Sequence, residues 1–206
     1  MIKRLCVFCG SSSGGRADYI QAARQLGHLL VENDITLVYG GGNVGLMGEI
    51  ARTVLASGGE VIGVITRYLA DKEVAFKEIQ DLRLVDTMHE RKALMADLSD
   101  GFIAMPGGLG TLEEFSEVLT WAQLGLHQKP CGLLNIDGYY NALCTFLDHM
   151  VSEQYLHSVH RSMVLCTSDA SELLNLFQTY QAPQEDKAAW ALKNNLHGGA
   201  LPPQAE

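Results

Sequence analysis

Phe102-Ile103-Ala104-Met105-Pro106-Gly107-Gly108-Leu109-Gly110-Thr111-Leu112-Glu113-Glu114, residues 102–114, is the stretch from which the rest of the chain can be read. Four apolar residues, 102–105, predict a buried strand. Pro106-Gly107-Gly108 stops it, and an amphipathic helix is expected to begin after Thr111. Glycines at 107, 108 and 110 are expected to take positive φ and let the backbone approach a ligand closely, while the free N–H groups of the new helix make an anion site. Glu114 falls in the first turn of that helix. A carboxylate beside a bound anion weakens its binding, so its presence points to chemistry next to a phosphate as well as grip on it.

The same strand, glycine loop and helix recur elsewhere. Strands are expected over residues 5–8, 35–39, 61–65, 82–85, 102–105, 131–134 and 163–166, with helical patterns between most of them, among them 18–33 and a helix ending near 57. Such alternation implies an α/β, Rossmann-like, doubly wound and mostly parallel sheet of about seven strands, with helices on both faces. Ligands of these sheets gather at the carboxyl ends of the strands. Three strand exits are glycine-rich: residues 10–15, 40–45 and 107–110. Gly40-x-Gly42-x-x-Gly45 matches a dinucleotide fingerprint, but it follows the second strand. The third strand then ends in Thr66-Arg67, where an acidic ribose ligand would be needed. A mononucleotide fits better than NAD. One nucleotide-binding domain is expected over 1–180, with an extension over 181–206. Within that extension 186–194 reads as a short helix and 197–206 as a disordered tail. Residues 68–80 read as either a mobile flap or a short helix.

The 206 residues are 47% hydrophobic and 19% charged, a composition that fits a globular protein with a sizeable core. A formal net charge of −9 argues against a nucleic-acid or anionic-membrane surface, so a phosphate must be held locally. No apolar run approaches the ~20 residues of a membrane span, and the N-terminal apolar stretch is too short for a signal peptide, so a cytoplasmic protein is expected. The five cysteines, 6, 9, 131, 144 and 166, suit reduced thiols. Cys6 and Cys9 form C-x-x-C, but on a strand they point to opposite faces. The histidines show no metal-binding spacing, and no metal is expected.

Met88-His89-Glu90-Arg91-Lys92 opens a helix whose Thr87 and Glu90 match a capping box. Arg91 falls at the centre of its apolar face, marked by Met88, Leu94, Met95 and Leu98. There the helix dipole disfavours a cation, as it does at Lys92, and a bound anion would remove both objections. Thr111-x-x-Glu114 also matches a capping box, the structural alternative for Glu114. Glu113 points away from the core side and reads as a solvated carboxylate. Trp121 and Leu124 make a second apolar strip, from which a homodimer is expected.

PGGLGTLEE at 106–114, TWAQLGLH at 120–127, TMHERK at 87–92, GGGNVGLMGEIA at 40–51 and CGSSSG at 9–14 together resemble the Lonely Guy (LOG) family of cytokinin-activating phosphoribohydrolases. The resemblance covers roughly residues 5–180. It implies hydrolysis of the N-glycosidic bond of an adenosine-type 5′-monophosphate to free base and ribose 5-phosphate. The catalytic pair falls on Arg91 and Glu114, the phosphate loop on Gly107, Gly108, Leu109, Gly110 and Thr111, and a further ligand threonine on Thr120. Other substrate contacts are expected from Gly10, Ser11, Gly41, Gly42, Met88, Lys92 and Glu113. Tyr68 stands where family members often carry an acidic residue. Similar sequences are also labelled lysine decarboxylases, but that chemistry needs a Schiff-base lysine, and no pyridoxal phosphate context is recognisable around Lys92. No cofactor is expected. Glu114 would stabilise an oxocarbenium-like state and orient or deprotonate water, with Arg91 holding substrate or easing departure of the base. A non-catalytic nucleotide sensor or carrier is the alternative with the same loops.

Overall fold

Alternate residues of the central strands feed two separate cores, and this fixes the layering. In the computed structural model, which describes residues 2–72, 75–183 and 190, Leu5, Val7, Leu37, Tyr39, Ile103 and Met105 pack on one side of a sheet. Cys6, Phe8, Val38, Phe102 and Ala104 pack on the other. Period-two alternation with both sides apolar is what a sheet covered on both faces requires.

Among the described residues the strands are β1 Arg4–Phe8, β2 Thr36–Tyr39, β3 Val61–Thr66, β4 Asp81–Val85, β5 Gly101–Ala104, β6 Cys131–Leu134 and β7 Val164–Thr167. All pair in parallel, in the order β4-β3-β2-β1-β5-β6-β7. Helices α1 Ala17–Glu32, α2 Gly45–Ala56 and α8 Ala170–Thr179 cover the first side. Helices α4 Met88–Leu98, α5 Leu109–Gln123 and α6 Asn141–Ser152 cover the second. Short helices α3 Arg67–Asp71 and α7 Ser158–Arg161 complete the set. The chain starts at the middle of the sheet, winds out to β4, and returns through α4 to β5 on the other side of β1. The reversal puts a crevice between the ends of β1 and β5, where doubly wound sheets bind ligands.

Residues 67–71 form a short helix, one of the two readings of the 68–80 segment and only at its start. Beyond that helix, Phe76 and Ile79 are buried, and Phe76 N–H donates to Gly41 O at 2.9 Å, so these two residues are docked on the fold. The expectations for 186–194 and 197–206 lie outside the described residues, apart from Trp190, whose ring meets His157 edge-on at 5.3 Å.

The helix after β5 starts earlier than expected. It begins at Leu109 with Gly108 as N-cap, and Thr111 lies inside it, so Thr111 and Glu114 form no capping box. The three glycines there also differ from expectation, since positive φ is found at Gly41 and Gly45 but at none of 107, 108 and 110. At Gly107 the requirement is space: a Cβ would stand 2.1 Å from Thr111 Oγ1 and 2.9 Å from Gly10 N. The Thr87–Glu90 capping box of α4 forms as read.

Candidate functional site

The crevice is built from three chain segments, with Met47 of α2 beside them. After β1, Gly10 N–H donates to Pro106 O at 3.0 Å and Gly10 O accepts from Leu46 N–H at 3.0 Å, which ties the first loop to the β5 exit and to α2. After β5, the turn at 106–108 leads into α5. The amides of Gly107, Gly108, Leu109, Gly110 and Thr111 have no acceptor among the described residues. Unpaired amides at a helix N-terminus form an anion cradle.

The third segment is the first turn of α4, which carries Arg91. Its Nε donates to Val64 O at 2.9 Å and its Nη1 to Glu114 Oε1 at 2.6 Å. The Arg91 and Glu114 side chains are 7% and 12% exposed, so this is a nearly buried ion pair. Nη2 fills the space beside Gly40, where a Cβ would stand 2.1 Å away. The arginine that looked misplaced on an apolar helix face is thus neutralised by a carboxylate from α5. That removes the dipole objection without a bound anion. Burial raises the Glu114 pKa above the ordinary 4.5, and the Arg91 charge opposes this only in part. One carboxylate oxygen is engaged by Arg91, which leaves Oε2 for a ligand.

A cleft of about 340 Å³ brings together Gly10, Ser11, Met88, Arg91, Gly108, Leu109, Gly110, Thr111, Glu113 and Glu114 of the expected residues. Gly107 lines an adjoining hollow of about 310 Å³, shared with Ser12, Ser13, Tyr19 and Tyr139. Four expected contacts lie elsewhere. Gly41 and Gly42 hold the 75–76 segment through Gly41 O and a bridge from Gly42 to Ala75. Thr120 is exposed, with its hydroxyl on Ser116 O. Lys92 is buried against α5, where its ammonium bonds Glu113 and, at 3.1 Å, Glu117. Burial lowers the Lys92 pKa, but the two carboxylates outweigh that and raise it overall. Glu113 is therefore the partner of a lysine and not a free solvated carboxylate.

Sequence reading missed Cys9, Met47 and Gly40. Cys9 and Met47 line the cleft. Burial, reinforced by the nearby Glu114 charge, pushes the Cys9 thiol up, so it stays neutral. Cys6 and Cys9 belong to opposite cores, and no metal-binding cluster of His, Cys, Asp or Glu occurs among the described residues. The glycine run at 40–42 was visible, but nothing local showed that Gly40 makes room for an arginine from α4. Tyr68 is exposed, with Lys72 Nζ 4.7 Å from its ring centroid, and does not line the cleft.

Residues 47–177 match the family described as possible lysine decarboxylase. The chain is 49% identical over 191 residues to the cytokinin riboside 5′-monophosphate phosphoribohydrolase LOG2 of Arabidopsis thaliana, covering 91% of this chain and 90% of that one. It is 51% identical over 185 residues to LOG7 of the same plant, with 90% and 85% covered. A probable phosphoribohydrolase of Oryza sativa subsp. japonica, LOGL5, is 50% identical over 205 residues, with 97% and 83% covered. Among solved structures, a molybdenum cofactor binding protein from Rippkaea orientalis superposes with a TM-score of 0.64 at 22% identity, covering 87% of this chain and 97% of that one. This last likeness is one of fold.

Proposed function

The chain belongs to the LOG family of cytokinin riboside 5′-monophosphate phosphoribohydrolases, and from that membership we propose that it hydrolyses the N-glycosidic bond of adenosine-type 5′-monophosphates. AMP and cytokinin riboside monophosphates are the substrates in view. Water adds its oxygen to the anomeric carbon, the bond to the purine nitrogen breaks, and the free base leaves with a proton, giving ribose 5-phosphate.

The observation that carries this reading is the nearly buried Arg91–Glu114 pair at the strand reversal, set beside five amides without acceptors among the described residues. The amides take the 5′-phosphate. Glu114 Oε2 then meets the positive charge that develops on the ribose ring and orients the water, while Arg91 holds the carboxylate in place and opposes the protonation that burial favours. A lysine decarboxylase reading has no support at Lys92. A Schiff-base lysine works with a lowered pKa, whereas this one is raised and fixed between two carboxylates. Incubation with AMP and with an N6-substituted AMP should release base and ribose 5-phosphate in equal amounts. Binding of both nucleotides without cleavage would leave a sensor or carrier in place of an enzyme.

We also propose a cytoplasmic homodimer. Leu124 is 56% and Leu126 71% exposed at the end of α5, beside the half-buried Trp121. All five cysteines are free thiols, and among the described residues no helix is long and apolar enough to cross a membrane. Sedimentation should give twice the chain mass, and Trp121→Glu should shift the equilibrium toward monomer. A monomeric parent at micromolar concentration would remove the proposal.

A further inference from the structure

Two adjacent tyrosines from the loop before α6 reach across to the β5 exit, and they act on different peptide groups. Tyr139 Oη donates to Gly107 O at 2.5 Å, and Tyr140 Oη donates to Met105 O at 2.6 Å. Between them, Pro106 O accepts from Gly10 N–H at 3.0 Å. All three successive carbonyls of the turn are therefore held from outside. In a planar trans peptide the C=O of one residue and the N–H of the next point in opposite directions. Fixing a carbonyl thus aims the following amide.

The consequence differs between the two tyrosines. Holding Gly107 O turns the Gly108 N–H away from Tyr139, and that amide has no acceptor among the described residues. Holding Met105 O aims nothing, because the next residue is Pro106, which has no N–H. Gly108 has space around it and no side chain to fix its peptide plane, so an outside hydroxyl is what can set it.

Building on the phosphoribohydrolase reading, we propose that Tyr139 is a positioning residue for the substrate phosphate, holding the Gly107–Gly108 peptide so that the Gly108 amide faces the anion, whereas Tyr140 supports the fold alone. Two of its surroundings hold Tyr139 itself in place. Its ring meets Tyr19 edge-on at 5.7 Å and Tyr140 edge-on at 5.0 Å.

The test compares Tyr139→Phe with Tyr140→Phe, each of which removes one hydroxyl and keeps the ring. Calorimetric titration with ribose 5-phosphate and steady-state turnover of AMP are measured for both, with thermal unfolding as the fold control. Tyr139→Phe should weaken ribose 5-phosphate binding and raise KM for AMP about fivefold to tenfold, the upper part of the usual range for one neutral hydrogen bond, with kcat within about twofold of the parent. Tyr140→Phe should lower the unfolding temperature and leave both Kd and KM unchanged. Unchanged Kd in Tyr139→Phe, equal losses in both variants, or a fall in kcat at constant KM would each overturn the proposal. So would a parent protein that does not bind ribose 5-phosphate. If the parent binds ribose 5-phosphate but does not cleave AMP, the hydrolase reading fails while the titration still decides the role of Tyr139.

Discussion

Arg91 and Glu114 neutralise each other, and this decides what each can do. An ionised carboxylate in a dry site stabilises a developing cation more than it would in water, and the guanidinium beside it opposes the protonation that burial favours. Glu114→Gln keeps size and hydrogen bonding and removes the charge. It is expected to bind AMP at least as well as the parent and to release ribose 5-phosphate at least ~100-fold more slowly. Glu113→Gln loses one exposed partner of Lys92, which keeps Glu117, and should turn over AMP at close to the parent rate. Parent-like turnover by Glu114→Gln would reduce Glu114 to a structural partner of Arg91. The pH dependence follows from the raised Glu114 pKa. On the proposed role the ionised form is the active one, so kcat/KM for AMP should fall on acidification through a value above 4.5, and Glu114→Gln should lack that limb. Unfolding on account of this group does not explain such a fall. A raised carboxyl pKa contributes stability that is complete below 4.5 and is lost as pH rises through the folded-state value.

Between elements, the site depends on how closely α4 approaches the end of β2. Gly40 is the point of contact: a Cβ there would overlap Arg91 Nη2 at 2.1 Å. Gly40→Ala is therefore expected to displace the guanidinium and lower kcat about 100-fold, a typical cost of misplacing a reacting group by about an ångström, with the protein still folded by thermal melting and circular dichroism. A variant with the parent kcat would mean that Arg91 tolerates displacement. The sequence showed each element well and the contacts between elements poorly. The Thr87–Glu90 capping box was readable because it is local. The same spacing at Thr111 and Glu114 misled, because Gly108 ends the turn early and puts Thr111 inside α5. Lys92 was read toward a phosphate, but the packing of α4 on α5 places two carboxylates against it instead.

At the scale of the whole molecule, alternation of apolar runs and amphipathic segments was enough to read a parallel sheet with a ligand crevice at its strand ends, and the observed order β4-β3-β2-β1-β5-β6-β7 places that crevice between β1 and β5. Which glycine loops face the crevice was not readable, since loops 10–15 and 107–110 flank the reversal while the loop at 40–45 lies beyond β1 and packs against its neighbours. The molecule carries a formal net charge of −9, and in the cleft the cation Arg91 is already paired. On the proposed reading a phosphate is held by oriented amides and not by a positive surface, which would make its recognition short-ranged and tied to the 107–111 turn. The most direct test is the ratio of kcat/KM for AMP to that for adenosine, which differ only in the group those amides bind. Preference for AMP by at least ~100-fold is expected, because several charge-assisted hydrogen bonds are lost with the phosphate. Equal cleavage of adenosine and AMP would contradict the assignment of the 107–111 turn as the phosphate site.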